Sequence, residues 1–352
     1  SMDGIDLSLI KTDGINYVKI IKEENYNYSL KQQINLKNIV KNKPNKISKI
    51  YEYFHLYENQ ITTDIIKYIK KFFKKNNIKK IDIISLSGQT MYHNPSKNIT
   101  IQLGNGRTIC EYFKIRVVTN FREKDISNGG EGAPIGSYYH KYLLNIINKK
   151  AAIINIGGVT NSSQIKNRKL ISTDIGPGNG IIDDLVYNFY KKKYDTNGWY
   201  ASKGKILKYI FNHFKKDPFF KKKYPKSLDR NHFDKYSNKL KKNKSNESIR
   251  TALEFTIYSI KKFIDKKNNS YLNEIILTGG GRQNKFLFKQ LKKQFKKLEI
   301  TKIDDYGFNG NLIESQMFAY IGIRSLKNLI ISTPLTTNNK KPISGGKIYK
   351  PN

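Results

Sequence analysis

An α/β chain in two lobes is what this sequence predicts, on three grounds. Its 352 residues, 38% of them hydrophobic, exceed one ordinary core. Short apolar runs that end in glycine and lead into helical periodicity recur along the chain. The recurrence restarts at Ala151, which puts the boundary near residue 150, with 1–150 as an N-terminal lobe and 151–352 as a C-terminal lobe.

In the first lobe, alternating apolar residues on either side of Asp13-Gly14 predict a hairpin of strands 5–11 and 17–22. A helix is expected over 61–73 and a buried β-branched strand over 81–86, delivering Ser87-Gly88-Gln89-Thr90 as a loop. A strand over 115–119 and a helix over 134–147 complete this lobe. The second lobe opens on the strand of AAIINIGGVTN, followed by a strand over 170–173 that runs into DIGPGN and a helix over 180–192. Helices over 203–214 and 247–265 follow, and a strand over 274–278 enters Gly279-Gly280-Gly281. A helix from Asn284, a strand over 298–303 and a helix over 311–327 come last. The Lys-Asn run at 235–246 reads as a solvated loop, and the tail after Pro334 as irregular.

Composition removes several function classes. No run approaches the ~20 apolar residues of a membrane helix, and the start lacks a signal-peptide layout, so the expectation is a cytoplasmic protein with no membrane partner. Cys110 is the only cysteine, which excludes intramolecular disulfides and cysteine zinc sites. The net charge of +37 suggests nucleic acid at first sight. Only eight of the 65 basic residues are arginine, however, and the lysines are scattered among Asn, Ile and Tyr along the whole chain. Charge spread over every face makes no directed groove, so no specific nucleic-acid partner is expected. His55, His213 and His232 show no metal spacing, and His93 and His140 read as structural hydrogen bonders.

Three glycine-bearing turns carry the chemistry: Ser1-Met2-Asp3-Gly4-Ile5-Asp6, Asn155-Ile156-Gly157-Gly158 and Gly279-Gly280-Gly281. Glycine lets backbone amides approach phosphate oxygens, and a following helix N-terminus adds favourable partial charge. Each turn alone is equally well a tight turn. Together they match the layout of the actin and hexokinase superfamily, a two-lobed, ribonuclease H-like fold with a central ATP cleft.

The chain resembles the anhydro-N-acetylmuramic acid kinases over almost its whole length. The resemblance rests on the opening segment above, on Gly88-Gln89-Thr90 with His93 and Pro95, and on Gln102-Leu103-Gly104. It continues through Asn120-Phe121-Arg122, Asp125, Gly129-Gly130-Glu131-Gly132-Ala133-Pro134, Asn155 to Gly158 with Asn161, and Asp174-Ile175-Gly176-Pro177-Gly178-Asn179 with Asp183. Asp217-Pro218-Phe219-Phe220, Pro225-Lys226-Ser227, Arg230, the late glycines with Asn284, then Gly310 and Glu314 close the series.

The resemblance implies ATP-dependent opening and phosphorylation of 1,6-anhydro-N-acetylmuramic acid in peptidoglycan recycling, and a homodimer. It implies Asp174 as the base that takes a proton from water, and its place before a Gly-Pro-Gly turn suits rigid positioning. It implies ATP contacts at Ser1, Met2, Asp3, Gly4, Ile5, Asp6, Asn155, Gly157, Gly158, Gly279, Gly280, Gly281 and Asn284, and substrate contacts at Gln89, Arg122, Gly130, Pro134, Asn179 and Glu314. Asp3 and Asp6 would face Mg²⁺ through waters. Competing roles stay open: a turn or helix cap for Asp174, capping for Asp3 and Asp6, a surface ion pair for Arg122 and a helix-dipole residue for Glu314. Arg122, Arg230 and Arg282 all fall inside motif segments of an arginine-poor chain, which suggests that the guanidinium fork matters there.

The sequence also departs from the family. It starts inside the first phosphate motif, without the preceding strand and glycine, which leaves two readings open: a truncated sequence or a damaged first lobe. Ser87 stands in place of histidine, Asn120 and Asn311 in place of aspartate, and Ile175 in place of threonine, while Leu228 and Asp229 break the stretch after Pro225-Lys226-Ser227. Lost hydrogen bonds at Ile175 and lost charge at Asn120 are expected to cost on the order of 1 to 3 kcal/mol each in ligand or transition-state binding. The rival readings are a sugar kinase acting on an ordinary hydroxyl and a decayed nucleotide-binding or basic nucleic-acid-binding protein.

Overall fold

A computed structural model describes residues 2–228, 230–266 and 269–352. Among them twelve strands run in chain order: β1 Gly4–Thr12, β2 Val18–Asn27, β3 Ile83–Ser85, β4 Gln89–Asn94, β5 Ile99–Leu103, β6 Arg116–Thr119, β7 Ala151–Ile156, β8 Val159–Lys166, β9 Lys169–Pro177, β10 Glu274–Thr278, β11 Glu299–Lys302 and β12 Lys347–Tyr349. The α/β expectation therefore holds. The chain divides into two compact units, one of 1–142 with 314–352 and the other of 143–313.

The first unit holds three small sheets: the antiparallel pairs β1-β2 and β4-β5, and the sheet β12-β6-β3. The predicted hairpin is present, and its turn is built by Asp13, whose Oδ1 accepts the N–H groups of Ile15, Asn16 and Tyr17 at 2.7, 3.0 and 2.9 Å. The segment from Glu314 onward, expected in the second lobe, belongs instead to this unit. The polar side chains of the helix Ile313–Leu326 explain why. Ser315 Oγ lies 2.7 Å from Ser8 Oγ, Gln316 Nε2 donates to Glu23 at 2.7 Å, and Arg324 Nη1 donates to the Gly14 carbonyl at 2.7 Å. Each partner sits on the β1-β2 hairpin or its turn, a long-range return that a linear reading of domains does not predict.

The second unit is built on one five-stranded sheet, ordered β11-β10-β7-β8-β9. β7, β10 and β11 run parallel, whereas β7-β8 and β8-β9 are antiparallel. Its apolar core is formed by the inner residues of β7 and β10 with the helices Gly180–Tyr190 and Ser245–Ile264. β8 escapes the sequence reading because Asn161, Ser162, Ser163 and Gln164 look like a turn. Ser162, Ser163 and Gln164 are nonetheless buried, and Ser163 Oγ pairs with Ser172 Oγ at 2.8 Å.

Two loop expectations are corrected. Part of the run 235–246 forms the helix Asp234–Leu240, because Tyr236, Ser237 and Leu240 share a buried face while the lysines point outward. The tail carries a helical turn at Pro334–Thr337 and the strand β12, which pairs with β6.

Asp217, at the start of the Pro218–Lys221 turn, anchors this part of the second unit. Burial alone would raise its carboxyl, but His232, Lys235, the Phe219 N–H and Tyr236 outweigh that and hold it at about 2. A carboxyl whose folded value lies below its ordinary value of 3.8 contributes stability above that value and loses it as pH falls toward 2. Urea denaturation between pH 5 and 2 is therefore expected to show a loss on the order of 1 to 2 kcal/mol that Asp217→Asn removes. An unchanged pH dependence in the variant contradicts the assignment.

Candidate active site

In the second unit, two of the three glycine turns meet the DIGPGN segment. The Gly157 carbonyl accepts the Asn179 N–H at 2.7 Å, and the Gly158 carbonyl accepts those of Gly178 and Gly180 at 3.0 and 3.2 Å. Gly279, at φ +74°, lies where a Cβ would meet Asn155 Oδ1 at 2.5 Å and the Ile156 carbonyl at 2.7 Å, so it must be glycine to close onto this loop. Gly281 is packed as closely against Ile156. Gly158 and Gly280 differ: a Cβ on Gly158 meets nothing within 4 Å, and one on Gly280 meets only Asn179 Nδ2, at 3.7 Å. Backbone with open space above it is what a phosphate chain requires.

Asp174 stands on β9 at the entry to this turn. The register of β8 against β9 slips there, pairing Thr160 with Gly176 and Asn161 with Asp174, so Ile175 is the unopposed residue of a bulge. A bulge re-aims the neighbouring side chain. Asp174 Oδ2 accepts the Leu228 N–H at 2.8 Å, and the Asp174 N–H donates to the Lys226 carbonyl at 3.0 Å. The carboxylate is therefore held by a second segment of chain. Ile175 itself is fully buried in the apolar core, so its exchange for threonine acts on packing.

Asn284 caps the helix Lys285–Gln294, its Oδ1 accepting the Leu287 N–H at 2.9 Å. The neighbouring Arg282 is buried and uses its whole fork: Nε and Nη2 reach the two Asp304 oxygens at 2.6 and 3.0 Å, and Nη1 reaches the Gly279 carbonyl at 3.0 Å. Lysine has no such fork, which accounts for arginine here. Asn311 Oδ1 accepts from Arg282 and Gln283 at 3.1 and 2.7 Å, so an amide serves where the family has a carboxylate.

The first unit gathers most of the residues expected to touch sugar. Arg122 Nη1 donates to the Gly132 carbonyl at 2.8 Å. His93 bridges Thr100 Oγ1 and the Glu131 carbonyl at 3.0 and 3.1 Å, and burial, then the Arg122 charge, pushes it down to about 4. It is neutral near pH 7. Gln89 begins β4, its Nε2 donating to the Thr90 carbonyl at 3.4 Å, and Pro134 follows a cis peptide bond and accepts from Ser137 Oγ at 3.0 Å. Gly130 has no room for a side chain, since a Cβ would lie 2.3 Å from Asp125 Oδ2. Asn120, in the left-handed region at φ +58°, donates to Glu123 at 2.6 Å; an aspartate there would face a second carboxylate.

Asp125 organises this loop, a role its place in a motif did not reveal. It is buried, and its Oδ1 accepts from Ser332, Thr337 and Asn339 at 2.6, 2.7 and 2.7 Å while Oδ2 accepts the Gly132 N–H at 2.7 Å. No local signal announces that residues 332–339 return to it. Asp125→Ala leaves these donors buried and unpaired, and a loss of about 3 kcal/mol or more is expected in urea denaturation. A loss below about 1 kcal/mol would show that the network is dispensable.

Asp3, Asp6 and Glu314 lie close enough to interact. Burial raises the Asp6 carboxyl, Asn25 opposes this, and the charges of Glu314 and Asp3 push it further up. Such a carboxylate favours a nearby cation, and Mg²⁺ that keeps its waters and leans on phosphate needs no more from protein. Among the described residues no group of three or more His, Cys, Asp or Glu side chains could hold a metal alone. Met2, Gly4 and Ile5 lie at and before the start of β1. Ser1, Asp229 and the side chain of Arg230 lie outside what is described.

Open glycine backbone, with a clamped carboxylate on the strand that leads into its turn, suits a nucleotide-using phosphotransferase. The chain belongs to the anhydro-N-acetylmuramic acid kinase family, whose model matches residues 1–351. It is 37% identical to an anhydro-N-acetylmuramic acid kinase of Pelagibacter ubique, over 99% of this chain and 96% of that protein. A second, from Zymomonas mobilis, is 34% identical over 99% and 97%. Among solved structures, the activator of the 2-hydroxyisocaproyl-CoA dehydratase from Clostridium difficile with bound ADPNP is similar at a TM-score of 0.41 and 9% identity, over 90% of this chain and 89% of that one. No helix among the described residues is long and apolar enough to cross a membrane.

Proposed function

We propose that this protein opens 1,6-anhydro-N-acetylmuramic acid with water and phosphorylates it from ATP, giving N-acetylmuramic acid 6-phosphate and ADP, in cytoplasmic peptidoglycan recycling. The observation that carries this reading is the Asp174 carboxylate, clamped at a bulge on the strand that runs into the turn bonded to Gly157 and Gly158, with open glycine backbone at Gly158 and Gly280. In an anhydrosugar O6 is part of the bridge and has no proton to lose. Asp174 takes a proton from water, the water oxygen bonds the anomeric carbon, and the bond from that carbon to O6 breaks. O6 then bonds the γ-phosphorus as the bridging bond to ADP breaks.

Backbone N–H groups around Gly158, Gly279 and Gly280 would cradle the phosphates, while the Gly157 N–H, which donates to the Val159 carbonyl at 3.1 Å, shapes the turn. Asp3 and Asp6 would hold the hydrated Mg²⁺, which supplies charge neutralisation on the phosphate oxygens. Arg122 suits the lactyl carboxylate of the sugar, and Glu314, Gln89 and Asn179 suit hydroxyl and amide groups. Asn284 contributes by fixing the loop through its cap. The family resemblance implies a homodimer, and sedimentation of the purified protein as a monomer at micromolar concentration would refute it.

Incubation with Mg-ATP and the anhydrosugar is expected to give ADP and sugar 6-phosphate in equal amounts. Turnover of N-acetylglucosamine or N-acetylmannosamine, with none of the anhydrosugar, would favour the ordinary-hydroxyl kinase instead.

A further inference from the structure

Lys226 is a buried lysine that none of the chemistry above employs. Its ammonium donates to the Phe219 carbonyl at 2.6 Å and sits over the Phe219 ring, 3.8 Å from its centre, with the Tyr224 ring at 4.7 Å. Its backbone is bound to the middle of β9, at Thr173 and Asp174. The Lys226 carbonyl accepts the Asp174 N–H at 3.0 Å, the Lys226 N–H donates to Thr173 Oγ1 at 3.0 Å, and Thr173 Oγ1 donates back to the Lys226 carbonyl at 3.1 Å. Two residues on, the Leu228 N–H reaches Asp174 Oδ2.

We propose that Lys226 is a positioning residue for the general base: its ammonium pins residues 226–228 to Phe219, and that segment holds the Asp174 carboxylate in place while the nearby cation favours its charged form. The inference rests on Asp174 being the base, as proposed above. The groups around the ammonium are consistent with it. Burial first, then the charges of Lys266 and Lys222, push Lys226 down to about 7, with Asp174 opposing them. Only Asp174 among these stabilises the cation, and a cation stabilised by a carboxylate stabilises that carboxylate equally. Below about pH 7 the lysine is charged.

The test compares wild type, Lys226→Met and Lys226→Arg with ATP and the anhydrosugar, reading kcat and KM across pH and nucleotide affinity separately. Lys226→Met is expected to lower kcat at least about tenfold with ATP affinity within about twofold of wild type, and to move the acid limb of the kcat profile upward by about half a pH unit. Lys226→Arg, which keeps the charge, should leave that limb where it is in wild type. A Lys226→Met enzyme with the wild-type acid limb overturns the proposal, whatever its kcat. If Lys226→Met does not fold, Lys226→Gln replaces it, and failure of all three to fold overturns the proposal too, because that describes a lysine needed only for the core. Absence of turnover in wild type would instead sink the function proposed above.

Discussion

Asp174→Asn is expected to lower kcat by a factor on the order of 10² to 10⁴ while leaving ATP affinity within a few-fold of wild type. The amide is nearly the same shape as the carboxylate, and its oxygen can still accept the Leu228 N–H that now reaches Oδ2 at 2.8 Å. The bulge at Ile175 and the bonds between Thr173 and the 226–228 segment do not depend on the charge. What the variant loses is the capacity to take up a proton. Calorimetric ATP titration and single-turnover product analysis separate the two quantities. Turnover near the wild-type rate would assign Asp174 to the local fold alone.

The second large effect concerns glycines that differ in what surrounds them. Gly158→Ala adds a methyl group where nothing lies within 4 Å, so the unliganded protein should keep its stability to within about 0.5 kcal/mol. The same methyl group projects into the space assigned to phosphate, and ATP affinity should fall at least about tenfold. Gly178→Ala makes the contrast, because its Cβ would lie 2.2 Å from the Gly157 carbonyl oxygen. That variant is expected to lose on the order of 1 to 3 kcal/mol of stability before any ligand is added. Thermal melts with and without ATP distinguish them. A Gly158→Ala protein that melts early, or that binds ATP normally, would remove the phosphate from this loop.

Much of this was legible in the sequence where the signal is local. β7, β10 and the turns after them read correctly because β-branched runs ending in glycine pairs have few alternative structures. Asp174 could be chosen on resemblance and on its place before Gly176-Pro177-Gly178. The clamp on it could not, since the bond from Leu228 spans 54 residues and nothing in Pro225-Lys226-Ser227 announces a partner. Polar strands such as β8 fail for another reason: buried Ser163 and Ser172 satisfy each other across the ladder, and hydropathy registers only their polarity. The return of residues 332–339 to Asp125 and of the helix Ile313–Leu326 to the β1-β2 hairpin are long-range events of the same kind. The departures from the family pattern also gained a physical reading only in three dimensions, where Ile175 fills a core, Asn311 accepts hydrogen bonds that an aspartate would accept as an anion, and Asn120 donates to Glu123 a bond that an anionic aspartate could not make.

The central claim is that water primed by Asp174 opens the sugar as O6 takes the phosphoryl group. A single turnover in ¹⁸O-water, quenched before the free anomeric hydroxyl can exchange, tests it most directly. Solvent oxygen on the anomeric carbon, with the sugar's own oxygen linking C6 to phosphorus, is the predicted result. Product formed without solvent oxygen at that carbon would contradict the account.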